Sequence, residues 1–226
     1  MKPKDRTMLK IEDKVTLLNA ACALPVKARK KIKALCQNDD GIAAVEFAIL
    51  TPFMIALYFG LVEIAMIIHA DKTTSHATNI AGDLATQVSN MNAVDMEDVL
   101  EATLATMSLK PAQVSRVGVE ILSYNMNPAG DPVEIGRATL NGGFVGEAYD
   151  PADISARLLT PSSGAVVARV QYEYESITYQ FVEKFTTLEE TFILKPRSSP
   201  DIPFSLNGTP GSFTCTASGE MSVSCT

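Results

Sequence analysis

Between Phe47 and Ile68 the chain runs for twenty-two residues with a single charge, Glu63. No other stretch constrains the fold as tightly. As an α-helix at 1.5 Å per residue it covers roughly 33 Å, about the thickness of a bilayer's hydrocarbon core. A cleaved secretory signal has a shorter apolar core, about 7–15 residues, closed by small residues at a cut site. Neither condition fits here, so the stretch reads as one membrane span over about residues 47–68. Hydrophobic residues make up 46% of the chain, the ordinary globular range, which excludes a multi-span membrane protein.

The flanks set an expected orientation. "KARKKIK" (Lys27 to Lys33) carries five basic residues, whereas "HADKTTS" on the far side carries one Asp and one Lys. The positive-inside rule then puts the N-terminus in the cytoplasm and the body outside. Charge divides the same way: residues 1–40 have a net charge of +5 and residues 41–226 a net charge of −12. The acidic body argues against nucleic acid as a partner, since phosphate binding wants a basic surface. Cys215 and Cys225 would face an oxidising space, where a disulfide is expected, against the alternative of two unpaired thiols on a tail. With no CxxC and only two histidines, zinc-type ligand spacing is absent. No nucleophile elbow, Walker loop, HExxH or calcium-loop pattern occurs, so no catalytic residues, cofactor, metal or small-molecule substrate are expected. Asp95, Glu97, Asp98 and Glu101 read as a solvated helix face.

The residues opening the span carry a resemblance. Gly41, four residues, then Glu46 and Phe47 ahead of an apolar run, with basic residues before them, is similar to the type IV prepilin processing pattern. The longer string "GIAAVEFAILTPFMIALYFGLVEIAM" resembles TadE-like proteins, minor pseudopilins of the Tad (Flp-type) pilus machinery. Gly41, Ala43, Ala44, Glu46, Phe47, Pro52, Gly60 and Glu63 fall on that family's signature. The resemblance covers about a fifth of the chain. It implies cleavage between Gly41 and Ile42 by a prepilin peptidase and co-assembly with other minor pilins and the inner-membrane Tad machinery. It implies a non-enzymatic role in pilus biogenesis and adherence, with the body periplasmic or extracellular. The 41-residue leader is long for a prepilin and holds an apolar patch, "VTLLNAACALPV". The reading from another class is an uncleaved, membrane-anchored periplasmic binding or enzymatic domain.

The motif has a physical rationale. Glycine before the scissile bond lets an enzyme approach the backbone. Cleavage would leave an α-amine on Ile42, and Glu46, one helical turn on, could neutralise it in its own chain or a neighbour. Glu63 points about 100° away from Glu46 around the helix. It reads either as an acid reaching the headgroups or as an intersubunit contact. Pro52 removes a helix hydrogen bond and is expected to kink the span, with Thr51 re-satisfying freed backbone groups.

Beyond the membrane, Ala70, Thr73, Ala77, Ile80, Leu84, Val88 and Met91 recur at helical spacing, so the helix is expected to run over 42–91. A second helix is expected over 94–109, capped by Asn92 with Asp95 three residues on, its apolar face Met96, Val99, Leu100, Leu104 and Met107, and stopped by Pro111. The period then changes to two. "RVGVEILSY", "VEIGRATL", "AVVARVQYEYES" and "LEETFILK" read as strands, and "DPADISARLL" as a short helix. "KPR" (Lys195 to Arg197) closes the set, and the Ser/Thr/Pro/Gly-rich tail from Ser198 reads as a loop or linker-like segment that the cysteines could pin. The expected fold class is α+β. A cleaved basic leader (1–41) precedes a membrane and stalk helix (42–91), a domain with an antiparallel sheet (92–197) and a tail (198–226).

Overall fold

A computed structural model describes residues 42–144, 146–155, 157–161, 163–177, 183–206 and 209–226. The expected leader, Gly41 included, lies outside the described residues. The fold is α+β, and the chain divides into two units at Tyr58/Phe59.

Helix α1 spans Ile42–Ala85 without a break at Pro52. Within the first unit its surface is apolar and open, with Phe47 and Phe53 about two-thirds exposed (66% and 67%) and Leu57 at 74%. It is the one described helix long and apolar enough to cross a membrane.

In the second unit α1 changes character. Its buried residues there are Glu63, Thr74, Ala77, Thr78, Ala81, Gly82 and Ala85, a stripe of mostly small side chains at three-four spacing. Small residues let a helix backbone come close to a sheet. A carbon added at Gly82 would stand 2.3 Å from Leu194 Cδ1. The helix ends at Ala85 rather than near residue 91. The carbonyls of Thr86 and Gln87 instead accept bonds from the segment after the last long strand, from Arg197 N (3.0 Å) and Ser198 Oγ (2.7 Å). Arg197 of the basic-proline run also pairs with Asp83.

Helix α2 spans Ala93–Met107, with Asn92 Oδ1 accepting from the Asp95 amide at 2.9 Å. Met96, Val99, Leu100, Leu104 and Met107 are all buried. Ser108, in the left-handed conformation, ends the helix before Pro111, which opens a 3-10 turn over Pro111–Arg116.

Four long strands follow: β1 (Val117–Met126), β2 (Pro132–Leu140), β3 (Gly164–Glu175) and β4 (Phe185–Leu194). The residues expected to form a short helix around Asp150 make only a 3-10 turn, Pro151–Asp153. The tail is not a linker. It supplies β5 (Ser205–Leu206), β6 (Thr209–Pro210), β7 (Ser212–Ala217) and β8 (Val223–Cys225). The main sheet runs β4-β3-β1-β2-β7-β8. It is mixed rather than antiparallel throughout, because β7 lies parallel to β2. The chain reaches β7 by a long return past the end of α1, where Met91 and Phe204 form a bridge, and that return reverses its direction.

One face of the sheet packs on the helices through Val117, Val119, Ile121, Val166, Ala168, Val170, Tyr172 and Tyr174. Ile202, Phe204, Phe213 and Val223 from the tail join this core, with the rings of Phe204 and Phe213 stacked at 5.9 Å. The other face is covered by the excursion between β2 and β3, where Ile154 and Leu159 meet Leu122, Tyr124 and Val167.

Candidate functional site

The sequence places its chemistry on α1. Ile42, Glu46 and Phe47 stand on the exposed opening turns, with Ile42 at 53% and Phe47 at 66% exposure. An open carboxylate among exposed apolar side chains is a group available to a partner. Pro52 lies inside the helix. The Thr51 hydroxyl donates to the Phe47 carbonyl at 2.6 Å. The carbonyl deprived of its donor by Pro52 is that of Ala48, four residues back. Thr51 therefore reinforces the neighbouring carbonyl.

Glu63 sits differently. Both sequence expectations set its carboxylate outside its own chain, yet it is 1% exposed. It is packed in the second unit beside Tyr174 of β3. The Tyr174 phenol is pushed above its ordinary pKa, first by burial and then by the Glu63 charge. The Glu63 charge thus acts on the Tyr174 phenol, which places this turn of α1 beside the end of β3.

Cys215 and Cys225 form a disulfide, S–S 1.99 Å, at directly paired positions of β7 and β8. Two acids expected to be solvated act on the same ribbon. Glu101 Oε1 accepts from the Val223 amide (2.9 Å) and Glu97 Oε1 from the Cys225 amide (2.8 Å). The outermost strand thereby has these two donors taken by α2.

A charge network crosses the sheet face away from the helices, unread in the sequence. Glu120 of β1 is 5% exposed and bridges two arginines: Oε2 to Arg169 Nη1 at 2.9 Å and Oε1 to Arg137 Nη1 at 2.5 Å. Arg137 also grips Glu134 through two bonds of 2.9 and 2.7 Å, and this bond to Glu134 holds the Arg137 guanidinium above its ordinary pKa. The Arg169 guanidinium lies 3.6 Å from the centre of the Phe144 ring. Nearby Tyr124 is pushed up to about 12, by burial first and then by the Glu134 charge. In the sequence each charge stands at a position alternating with the core-facing residues, Glu120 between Val119 and Ile121, Arg137 before Ala138 and Arg169 between Ala168 and Val170, and nothing there linked the three. Both carboxylates are engaged, Glu120 by two guanidiniums and Glu134 by one, while the buried Arg169 Nε has no partner among the described residues. It offers no free base, and its ion pairs link β1 to β2 and to β3. Among the described residues no group of three or more His, Cys, Asp or Glu is placed to hold a metal.

Comparison with the curated proteins and with the solved structures finds no match. A family match falls on α1, over the residues that open it, the apolar run and all of its packed stripe but Ala85. Over residues 41–83, about a fifth of the chain, the sequence matches the model of the family described as TadE-like protein.

Proposed function

We propose that this chain is a minor pilin or pseudopilin of a Tad-type pilus machinery, a structural component rather than an enzyme. The observation that carries the reading is the family match over residues 41–83, laid on a helix whose opening turns expose Glu46 and Phe47 among apolar side chains. Before processing, α1 anchors the chain in the inner membrane by a single pass, with the basic N-terminus in the cytoplasm and residues from 69 on outside. A prepilin peptidase cuts between Gly41 and Ile42. The new amine on Ile42 is then met by Glu46, from the same chain or a neighbour, and in an apolar setting that attraction is far stronger than in water. The apolar surface of α1 that faced lipid becomes the surface that packs against other minor pilins, in support of biogenesis and adherence. A body of this size suits a minor, priming or tip position.

Mass spectrometry of the protein from cells with and without the prepilin peptidase tests the processing step. The expected result is an N-terminus at Ile42 only when the peptidase is present. An unchanged N-terminus in both strains would overturn processing and favour an uncleaved anchored domain. For assembly, a Glu46→Ala variant is expected to abolish or sharply reduce piliation, and normal pili in that strain would remove Glu46 from the mechanism.

A further inference from the structure

The margins of the main sheet differ in how they are closed. On the β8 side, the amides of Val223 and Cys225 are taken by Glu101 and Glu97 of α2. The part of β2 that β7 leaves uncovered opens with Pro132 and breaks register at Ser123/Tyr124, and both features blunt an edge. β4 has neither. Over residues 187–193 it holds no Pro, Lys or Arg and keeps an unbroken register with β3. The Ser176 amide donates to the Lys184 carbonyl at 2.9 Å, so antiparallel alternation makes Tyr172/Leu188 and Val170/Glu190 hydrogen-bonded pairs as well. Thr187, Glu189, Thr191 and Ile193 therefore aim their backbone N–H and C=O groups away from β3. Among the described residues no partner meets those groups. Thr187, Glu189 and Thr191 are exposed. The margin is also acidic. Glu173 pairs in register with Thr187, lies on the same sheet face as Glu189 and is exposed too, while Glu190 is half-buried on the helix side. Among the described residues no cation pairs with these three acids, and the nearby Arg116 and Lys184 are both on Glu175.

We infer that the outer edge of β4, over residues 187–193, is a strand-addition site for a basic extended segment of another protein. Backbone bonds to Thr187, Glu189, Thr191 and Ile193 supply the attraction, and Lys or Arg side chains facing Glu173 and Glu189 supply the selection. A second copy of this chain suits the edge poorly. A two-fold pairing centred on Glu189 or Glu190 sets that acid opposite itself, and like charges directly opposed destabilise a strand pair. Residues 41–226 of each copy also carry a net charge of −12, so two bodies repel where a basic strand is attracted. The inference concerns β4 and β3 alone and is independent of the role of α1.

The full chain in non-ionic detergent is titrated with a fluorescent peptide of alternating lysine and valine, as long as the margin. A second peptide, methylated at every amide, keeps the charge and loses the backbone donors. The first peptide is expected to bind saturably and the methylated one about tenfold more weakly or worse. In the complex, the amides of Thr187, Glu189 and Thr191 are expected to exchange about tenfold more slowly, while those of Leu188 and Glu190, already paired with β3, stay unchanged. Thr191→Pro removes one outward amide and no bond to β3, and Glu189→Lys reverses the charge. Each is expected to weaken binding about tenfold, with the Thr191→Pro melting temperature near the parent's. If Thr191→Pro proves unstable, amide exchange in the parent still decides. Absence of binding, equal binding of the methylated peptide, or unaltered exchange at the three outward amides would each overturn the site. A parent that sediments as a dimer, returned to monomer by Thr191→Pro, would give the edge to a second copy and overturn the basic partner.

Discussion

Gly136 of β2 lies against the ring of Phe204, so closely that a Cβ on Gly136 would stand 2.3 Å from Phe204 Cγ and 2.7 Å from its Cβ. Phe204 is fully buried and stacked on Phe213, so it has no way to retreat. Gly136→Ala is therefore expected to destabilise by about 1–3 kcal/mol, the usual range for overpacking. Thermal unfolding of the domain in detergent measures it. A melting point unchanged from the parent would show that Phe204 can yield.

The Glu120 network makes a second prediction. Removing Glu120 leaves Arg169, 8% exposed, as a buried charge without its carboxylate. Glu120→Ala is expected to cost about 3 kcal/mol, because an uncompensated buried ion is dearer than the pair was worth. The double variant Glu120→Leu with Arg169→Met is expected to recover much of that loss. A chemical denaturation series of the three proteins checks both. A double variant as weak as the single would place the cost in packing rather than charge.

Glu97 and Glu101 accept from part-buried backbone amides of β8. Replacing either with alanine is expected to cost about 1.5–3 kcal/mol, the loss of one hydrogen bond to a charged acceptor. Glutamine keeps an acceptor oxygen and should restore most of it. Amide exchange at Val223 and Cys225 reads the effect directly, with faster exchange in the alanine variants.

Reduction of the Cys215–Cys225 bond opens a loop with a sequence separation of 10. In the chain-entropy model that costs about 2–3 kcal/mol. Cys225→Ser is expected to lower the melting temperature and to remove its dependence on dithiothreitol. If the parent melts at the same temperature with and without reductant, the bond contributes nothing to stability.

Alkaline pH supplies a further test. Tyr124 titrates at about 12 in the folded chain against an ordinary value of 10, because burial penalises the phenolate. The folded state holds that proton more tightly than the unfolded one. The stability it contributes is full below pH 10 and is lost as pH rises towards 12. Tyr124→Phe should lessen the fall in stability over that window. Absorbance at the phenolate band during unfolding at fixed pH follows it.

The sequence showed most clearly what depends on a local period. Helix α2, its Asn92 cap and its apolar face follow from three-four spacing and one cap residue. The four long strands follow from alternation, and β1 and β3 stand out because both of their faces are buried. Composition misled at the tail. Ser, Thr, Gly and Pro suggested a linker, while Phe213 and Cys215 alternate with exposed residues and build a strand. The end of α1 was misplaced because Arg197 and Ser198, more than a hundred residues away in sequence, cap Thr86 and Gln87. Glu63 was read as an outward-facing acid because a burial partner such as Tyr174 cannot be seen along one helix. Glu120, Arg137 and Arg169 come together only once the three strands are in register.

The carboxylates of α2 on β8 also bear on how copies of this chain can add to one another. A sheet grows by offering free outer amides to an incoming strand. On the β8 side, the amides of Val223 and Cys225 are already engaged by Glu97 and Glu101. Runaway fibre growth through that margin is blocked within the monomer. A filament that includes this chain would have to add its subunits along another surface, and the long apolar flank of α1 is free to serve as that surface.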